Sequence, residues 1–207
     1  MDKKIIITIA RQYGSGGREI GELVAKALNI PLYDGQLITE AASKGNFNEE
    51  VIRKADESSA NSLLYTLAMG SNPLGAAMHF GYKMPLNDKL FLLQSEVMRE
   101  YAANGSGVFI GRCADYVLRD EKNILRIFIY GDLEHRQQRI ISRHPELKSS
   151  QIIDVISKTD KRRSTYYNFY TGNKWGKFDN YDMAINSSTM GIEGTAKLIA
   201  NIVENSL

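Results

Sequence analysis

The amino-acid sequence predicts an α/β protein in which five strands and their helical crossovers form a three-layer sandwich. Five short apolar runs recur along the chain, and segments with helical spacing of apolar residues lie between them. The composition, 43% hydrophobic and 24% charged over 207 residues, is that of a folded domain with one sizeable core. Because no internal repeat or linker divides the chain, we expect residues 1–207 to form a single domain.

The first strand and the first helix are predicted from the beginning of the chain. Residues 4–10 form a predominantly apolar, β-branched run, which is typical of a parallel strand that is covered on both faces. After a glycine-rich turn, apolar residues follow at the spacing of one helix face, namely Ile20, Leu23, Val24, Ala27 and Leu28. We therefore expect a strand, a tight turn and a helix in direct succession.

The remaining elements follow from shorter signals. Further strands are predicted at 30–34, 107–111, 124–130 and 181–186. The region 35–105 is mostly helical in pattern and is interrupted by the glycine- and proline-bearing stretch 71–85, so it is predicted to form an inserted lobe. A closing helix is predicted to turn four apolar residues inward, namely Ile192, Ala196, Ile199 and Val203.

Charge, cysteine content and hydropathy exclude several classes of protein. A net charge of +2 is too small to indicate a general nucleic-acid binder, so an anionic ligand must be bound by local clusters of arginine and lysine. The single cysteine, Cys113, excludes an intramolecular disulfide and a cysteine-based zinc site, and it fits a reducing compartment. No early segment has the pattern of a secretory signal, and no apolar run approaches about 20 residues. We expect a cytoplasmic protein without a membrane segment.

The stretch IIITIARQYGSGGRE, residues 5–19, has the form of a phosphate cradle. Small residues let the backbone approach phosphate, and the following helix directs the positive end of its dipole at the ligand. The loop departs from GxxxxGK[ST], because Gly17 occupies the lysine position and Arg18 the Ser/Thr position. Arg11 or Arg18 is a candidate for the missing positive charge, whereas neither can bind Mg²⁺. The alternative is a flexible strand-to-helix turn without a ligand.

Two basic clusters follow the fourth predicted strand. Arg136, Arg139 and Arg143 are spaced so that they share one helix face. A second cluster surrounds Asp160 and contains Lys158, Lys161, Arg162 and Arg163. Such clusters can bind an anionic ligand, and the alternative is a solvated basic surface.

The segment 164–177 interleaves aromatic and basic residues. This pattern is compatible with stacking of nucleic-acid bases. Helical spacing of Tyr166, Tyr167 and Tyr170 favours packing of a helix onto the sheet instead, with the helix ending near residues 171–173.

Several motifs together resemble a known family. They are IITIARQYGSGGREIGELVAKALNIPLYD, VFIGRCADYVL, RIFIYGDLEHRQQRI, DKRRSTYYNFYTGNKWG and YDMAINSS, in that order. In this order they are similar to the bacterial cytidylate kinase-like proteins, a branch of the nucleoside monophosphate kinases. The similarity covers almost the whole chain and is loosest between about 45 and 85. It implies a P-loop kinase fold with a central parallel five-stranded sheet, an acceptor-binding helical lobe at about 35–105 and an arginine-bearing lid at about 144–178.

The resemblance also implies an activity and its site residues. Mg-ATP would be the phosphoryl donor and a nucleoside monophosphate such as CMP the acceptor. The residues that would hold ATP are Arg11, Gly14, Ser15, Gly16, Gly17 and Arg18. Asp34 and Arg112 would bind the acceptor, and Arg112 follows a predicted strand at the sheet edge where ligands lie. The residues that would act on the transferred group are Arg18, Arg139, Arg162 and Arg163.

Three questions stay open at the level of sequence. The metal ligands are unknown, and Asp34 is one candidate. The absent lysine and hydroxyl also allow a catalytically impaired nucleotide-binding or regulatory module, and a weaker alternative is an RNA-binding protein. The apolar stretch 74–86 is either a contact between copies in a homo-oligomer or part of a mobile lobe.

Overall fold

The computed structural model describes residues 4–34, 86–146 and 148–206, and these contain one parallel sheet of five strands. The strands are β1 (Ile6–Arg11), β2 (Leu32–Tyr33), β3 (Gly107–Ile110), β4 (Ile124–Tyr130) and β5 (Met183–Asn186). Their order in the sheet is β2-β3-β1-β4-β5, and every neighbouring pair is parallel. The predicted α/β class and the five predicted strands are confirmed.

The helices cover both faces of this sheet. They are α1 (Gly17–Leu28), α2 (Leu86–Asn104), α3 (Ala114–Val117), α4 (Leu133–Arg143), α5 (Ser149–Thr171) and α6 (Ser187–Ser206), with a 3₁₀ turn at Phe178–Asn180. Helices α1 and α6 share one hydrophobic core with the sheet, and α2 and α3 share a second core on the opposite face. The predicted three-layer arrangement is therefore confirmed.

The position of β1 at the centre of the sheet explains why its sequence is so apolar. Ile7 and Ile9 of β1 pack toward α1 and α6, whereas Ile6 packs toward α2 and α3. All three side chains are fully buried. Because alternate residues of a strand face opposite sides, a strand with helices on both sides needs apolar residues at nearly every position.

The predicted faces of the helices agree with the structure except in α1. Ile20, Val24 and Leu28 are buried, but Ala27 is exposed and Ala25 is buried in its place. Helix α1 packs against α6 as well as the sheet, so its buried stripe is displaced around the helix axis. In α6 the four predicted residues are buried as expected, namely Ile192, Ala196, Ile199 and Val203.

Part of the predicted inserted lobe lies outside the described residues. Of 35–105, the described part begins at α2, and the stretch 74–86 lies outside except for its last residue. Among the helices of the described ranges, none has the length and apolar character needed to cross a membrane.

Candidate active site

The predicted site residues converge because the strands are parallel. Arg11 ends β1, Asp34 follows β2, and Arg112 comes two residues after the end of β3. The carboxyl ends of parallel strands lie at one edge of the sheet, which is where α/β proteins bind ligands. Residues distant in sequence are thereby brought to one edge.

The glycine-rich loop is tightly packed in a conformation that requires glycine. Gly14 and Gly16 have φ angles of 81° and 78°, in the left-handed region. A Cβ atom on Gly14 would lie 2.9 Å from the carbonyl oxygen of Arg136, and one on Gly16 would overlap the side chain of Ile192. The loop thus has one defined path between β1 and α1.

The Ser15 hydroxyl faces the protein interior. It donates to the carbonyl of Gln12 at 2.9 Å, while Ser187 Oγ donates to the Ser15 carbonyl at 2.7 Å. Ser15 can therefore offer an anion only its backbone. Within the described residues, no side chain caps the start of α1 at Gly16, so the first backbone N–H groups of the helix remain available to an anion.

A cleft of about 260 Å³ lies beside this loop and is called the glycine-loop cleft below. Its lining contains Arg11, Gln12, Tyr13, Gly14, Gly16, Gly17, Arg18, Glu19, Glu22, Arg143 and Arg163. The positive end of the α1 dipole and four arginines favour an anion there.

The Arg11 side chain crosses the position at which a P-loop lysine would begin. A Cβ atom on Gly17 would lie 2.5 Å from Arg11 Cβ, and one on Gly111 would overlap the Arg11 guanidinium. Both glycines therefore make room for this arginine. Arg11 extends from the glycine loop, where its aliphatic stem lies against Gly17, toward the end of β3, where its guanidinium lies against Gly111.

Arg11 lies in strongly positive surroundings. The pKa of Arg11 is lowered from 12.5 to about 9. The main cause is withdrawal from water, followed by the charge of Arg163 and the smaller effects of Arg112 and Arg18, while Asp34 acts in the opposite direction. Positive charge held together in this way is unfavourable until an anion enters. The arrangement favours the binding of an anion.

Carboxylates hold Arg18 and Arg143 of the glycine-loop cleft and the neighbouring Arg139. Arg18 Nε lies 3.0 Å from Asp34 Oδ2 and 3.3 Å from Glu22 Oε1. Glu19, in the first turn of α1, pairs with both Arg139 (2.7 Å) and Arg143 of helix α4. The Arg139 guanidinium lies against Gly16, and its buried Nε has no hydrogen-bond partner among the described residues.

A second cavity of about 100 Å³ opens between the strand ends and α5, and is called the arginine cavity below. It is lined by Ala10, Arg11, Gly111, Arg112, Cys113, Asp115, Thr159, Arg162, Arg163, Tyr166, Tyr167 and Trp175. Gly111, Arg112 and Cys113 have φ angles of 70°, 56° and 56°. Two consecutive non-glycine residues in this region store backbone strain, which is typical of functional sites.

One buried carboxylate faces the arginine cavity. Tyr167 donates its hydroxyl to Asp115 Oδ2 at 2.6 Å. Burial raises the pKa of Asp115 above its ordinary value, although the Tyr167 hydrogen bond acts in the opposite direction. Burial and the Asp115 charge also raise the pKa of Tyr167, so the phenol stays protonated and remains a donor.

Helix α5 contributes to both cavities through Arg163. Its Nη1 donates to the Arg11 carbonyl at 3.0 Å, and its guanidinium lies 5.6 Å from the centre of the Tyr13 ring. Arg163 and Arg11 each line the glycine-loop cleft and the arginine cavity, and Arg162 lines the latter. Lys158 lines neither cavity, because it pairs with Asp154 on the exposed side of α5 at 2.6 Å.

The aromatic residues of 164–177 pack against the protein. Tyr170 stacks on Phe91 of α2 with ring centres 4.1 Å apart, and Trp175 meets Phe128 of β4 edge-on at 5.2 Å. The interpretation as packing residues is supported, although Tyr170 contacts α2 rather than the sheet. Gly172, with a φ of 70°, caps the C-terminus of α5 within the predicted segment 171–173.

The described residues do not fit a protein-held divalent cation. Across 4–34, 86–146 and 148–206, no group of three His, Cys, Asp or Glu side chains is placed to hold a metal ion. Asp34, the candidate ligand, is paired with Arg18, and the Ser15 hydroxyl is turned inward.

The sequence did not identify the carboxylates that organise this site. Asp160 was named only as the residue that a basic cluster surrounds, and the sequence pattern does not single out Glu19 or Asp115. Their roles depend on contacts between helices that are distant in sequence, and the pattern along the chain carries no signal for such contacts.

Comparisons with known proteins agree with this fold. An uncharacterized protein from Eubacterium ventriosum ATCC 27560 has a solved structure with a TM-score of 0.72 and 25% identity, covering 98% of this chain and 99% of that one. Shikimate kinase from Bacteroides thetaiotaomicron has a TM-score of 0.56 and 12% identity, covering 98% and 99%. Shikimate kinase from Acinetobacter baumannii, in complex with shikimate, has a TM-score of 0.51 and 13% identity, covering 100% and 97%.

The two shikimate kinases show likeness of fold alone, which is that of the P-loop kinases. No curated protein matches the sequence. The model of the cytidylate kinase-like family matches residues 6–189, which include all five strands and both cavities. The chain therefore belongs to the cytidylate kinase-like family.

Proposed function

We propose that this protein transfers the γ-phosphoryl group of ATP to a small anionic acceptor. ATP would occupy the glycine-loop cleft, and the acceptor would occupy the arginine cavity. A nucleoside monophosphate such as CMP is the acceptor class that family membership favours. The observation that carries the proposal is that Arg11 and Arg163 each line both cavities.

Phosphoryl transfer depends on positioning and charge neutralisation more than on covalent chemistry by the protein. The donor phosphates would meet the first N–H groups of α1, with Arg11 supplying the charge that a loop lysine supplies elsewhere. Arg112 would bind the acceptor anion from the end of β3. Arg11 and Arg163, between the two sites, would stabilise the group in transit, with Arg139, Arg162 and Arg18 nearby.

Mg²⁺ enters this proposal as part of the nucleotide substrate. The ion would be bound by phosphate oxygens and water, since the described residues do not supply a set of ligands for it. The cytoplasmic location and any homo-oligomer remain predictions from the sequence.

A coupled assay of ADP release tests the proposal. Mg-ATP is offered with a panel of nucleoside monophosphates and, separately, with small phosphate-free alcohols. We expect at least one monophosphate to stimulate ADP formation, and Arg112→Ala to lower kcat/KM for that acceptor about 10² to 10³-fold. Arg119→Ala is the matched control, because Arg119 is about half exposed and lines neither cavity.

A nucleotide-binding module without catalysis is the second candidate. The observation that favours it is the absence of the loop lysine and of an accessible Ser/Thr hydroxyl. ATP binding in a titration without ADP formation for any acceptor would support this candidate and contradict the transferase. An RNA-binding role is not proposed, because Tyr167, Tyr170 and Trp175 pack against the protein.

A further inference from the structure

Asp160 of helix α5 binds the glycine loop directly. Its Oδ1 accepts the backbone N–H of Tyr13 at 2.7 Å, and its Oδ2 accepts Arg136 Nη1 at 2.7 Å. The same Arg136 nitrogen donates to the carbonyl of Tyr13 at 3.1 Å. One carboxylate and one guanidinium therefore hold both polar groups of the Tyr13 backbone.

This contact differs from an ordinary surface ion pair. The side chains of Asp160 and Arg136 are only 17% and 9% exposed, whereas Asp154 and Lys158, on the same helix, are 57% and 72% exposed. A largely buried pair loses hydration of both ions, so stability alone is a weak reason for its presence. The pair instead fixes the backbone of the glycine loop at Tyr13, because Asp160 binds its N–H group and Arg136 binds its carbonyl.

The same helix places Arg163 next to this contact. Asp160 and Arg163 are three residues apart and lie on one side of α5. Arg163 donates to the Arg11 carbonyl at 3.0 Å. Residues 11 and 13 of the loop are thus bound by the same helix turn that carries Arg163 between the two cavities.

We propose that Asp160 is a positioning residue that couples the conformation of the glycine loop to the placement of Arg163. A loop fixed on its donor nucleotide would hold Arg163 at the boundary with the acceptor, and release of Asp160 would uncouple the two. This inference rests on the proposed transferase function, which it deepens by naming the contact that links donor binding to the transfer step.

Asp160→Asn is the principal test, because Tyr13 and Arg136 donate to different oxygens of Asp160 and the substitution replaces one of these oxygens with a donor NH₂ group. We expect kcat to fall about 10²-fold, which is the size of effect that a small misplacement of a reacting or stabilising group produces. The KM for the acceptor should change little, because Asp160 lines neither cavity. Asp154→Asn on the same helix should leave kcat within about twofold.

A double-mutant cycle separates positioning from a general loss of structure. If Asp160 acts through Arg163, the variant Asp160→Asn with Arg163→Ala should be about as slow as Arg163→Ala alone. Losses in kcat that multiply would overturn the proposal. Should Asp160→Asn fail to fold, Asp160→Glu is used in the same cycle, since it keeps the charge and moves the carboxylate relative to Tyr13.

Hydrogen exchange tests the contact without any activity. With inorganic tripolyphosphate as the probe of the glycine-loop cleft, amides of residues 12–17 should exchange faster in Asp160→Asn than in the wild type or Asp154→Asn. Equal exchange in all three proteins would overturn the proposal. A protein that gives no ADP with any acceptor would refute the transferase, while this measurement would still decide whether Asp160 holds the loop.

Discussion

The two cavities carry similar charges but hold them differently. In the glycine-loop cleft, carboxylates near the surface pair with arginines of the lining, as Glu22 does with Arg18 and Glu19 with Arg143. In the arginine cavity, the carboxylate is buried, and a neutral hydroxyl, that of Tyr167, donates to Asp115. Exposed ion pairs can exchange partners at little cost in free energy, whereas a buried polar group that loses its hydrogen-bond partner destabilises the protein. We infer that the paired arginine side chains of the cleft, and not the backbone of the glycine loop, rearrange around a ligand, whereas the Asp115–Tyr167 side of the arginine cavity is preformed.

Substitution of Arg11 should affect both cavities and give the largest effect. Because the pKa of Arg11 is lowered in the folded protein, carrying its charge is unfavourable to folding throughout the neutral range. Arg11→Met should therefore raise the free energy of unfolding by about 1 to 3 kcal/mol while lowering kcat about 10³-fold. Denaturant titration and the ADP assay measure the two effects.

Arg119→Met serves as the control for the Arg11 variant, since Arg119 is exposed on the surface. A less stable Arg11→Met protein would contradict the view that positive charge in the two cavities is unfavourable without an anion.

Tyr167→Phe should reveal how fixed the arginine cavity is. Loss of the hydroxyl leaves Asp115 buried without that donor, which should lower the free energy of unfolding by about 1 to 3 kcal/mol at pH 7. The Tyr167 hydrogen bond opposes the rise in the Asp115 pKa, so its removal raises that pKa further.

The pH dependence of the Tyr167→Phe effect follows from this shift. A folded-state pKa above the unfolded one favours the protonated carboxyl in the folded protein, so the stability deficit should grow as pH rises through the folded-state pKa. It should be smallest at a pH below the folded-state pKa of Asp115 in the wild type, where the carboxyl is protonated in both folded proteins, because the unfolded-state pKa is common to both and cancels. Thermal unfolding between pH 3.5 and 7 measures it, and Tyr130→Phe is the control because Tyr130 is exposed. If the loss in free energy of unfolding does not depend on pH, the effect of Tyr167→Phe does not arise from the Asp115 carboxyl.

Glu19→Gln should give the smallest effect and sharpen the description of the glycine-loop cleft. Its carboxylate occupies Arg139 and Arg143 beside the start of α1, where it competes with a ligand anion. The substitution should tighten binding of tripolyphosphate by a few-fold, corresponding to about 0.3 to 1 kcal/mol. Calorimetric titration measures it, with Glu22→Gln as the comparison. Weaker binding by Glu19→Gln would indicate that Glu19 mainly orients the two arginines.

The fold was predictable because its physical basis is local. Ile6, Ile7 and Ile9 are apolar since β1 is covered on both faces, and that pattern is visible in the sequence alone. The parallel sheet then brings Arg11, Asp34 and Arg112 to one edge. Ala27 was assigned to the wrong face because the contact of α1 with α6 displaces the buried stripe, and helical periodicity does not include that contact.

The internal partners of the site were not predictable in the same way. Asp160 lies 147 residues from Tyr13, and Tyr167 lies 52 residues from Asp115. Such pairs depend on how helices dock on the sheet, which no spacing rule along the chain records. Arginines at strand ends were therefore identified, while the carboxylates and the phenol that organise them were not.

Trp175 gives the arginine cavity a built-in optical reporter. It is the single tryptophan of the chain. Its indole lines this cavity and contacts the Phe128 ring edge-on. Indole emission depends on local polarity and on nearby charge, so we expect a ligand in this cavity to alter the fluorescence of the unlabelled protein. Unknown acceptors can thus be screened by direct fluorescence titration, without an enzymatic readout and without a tag near the site.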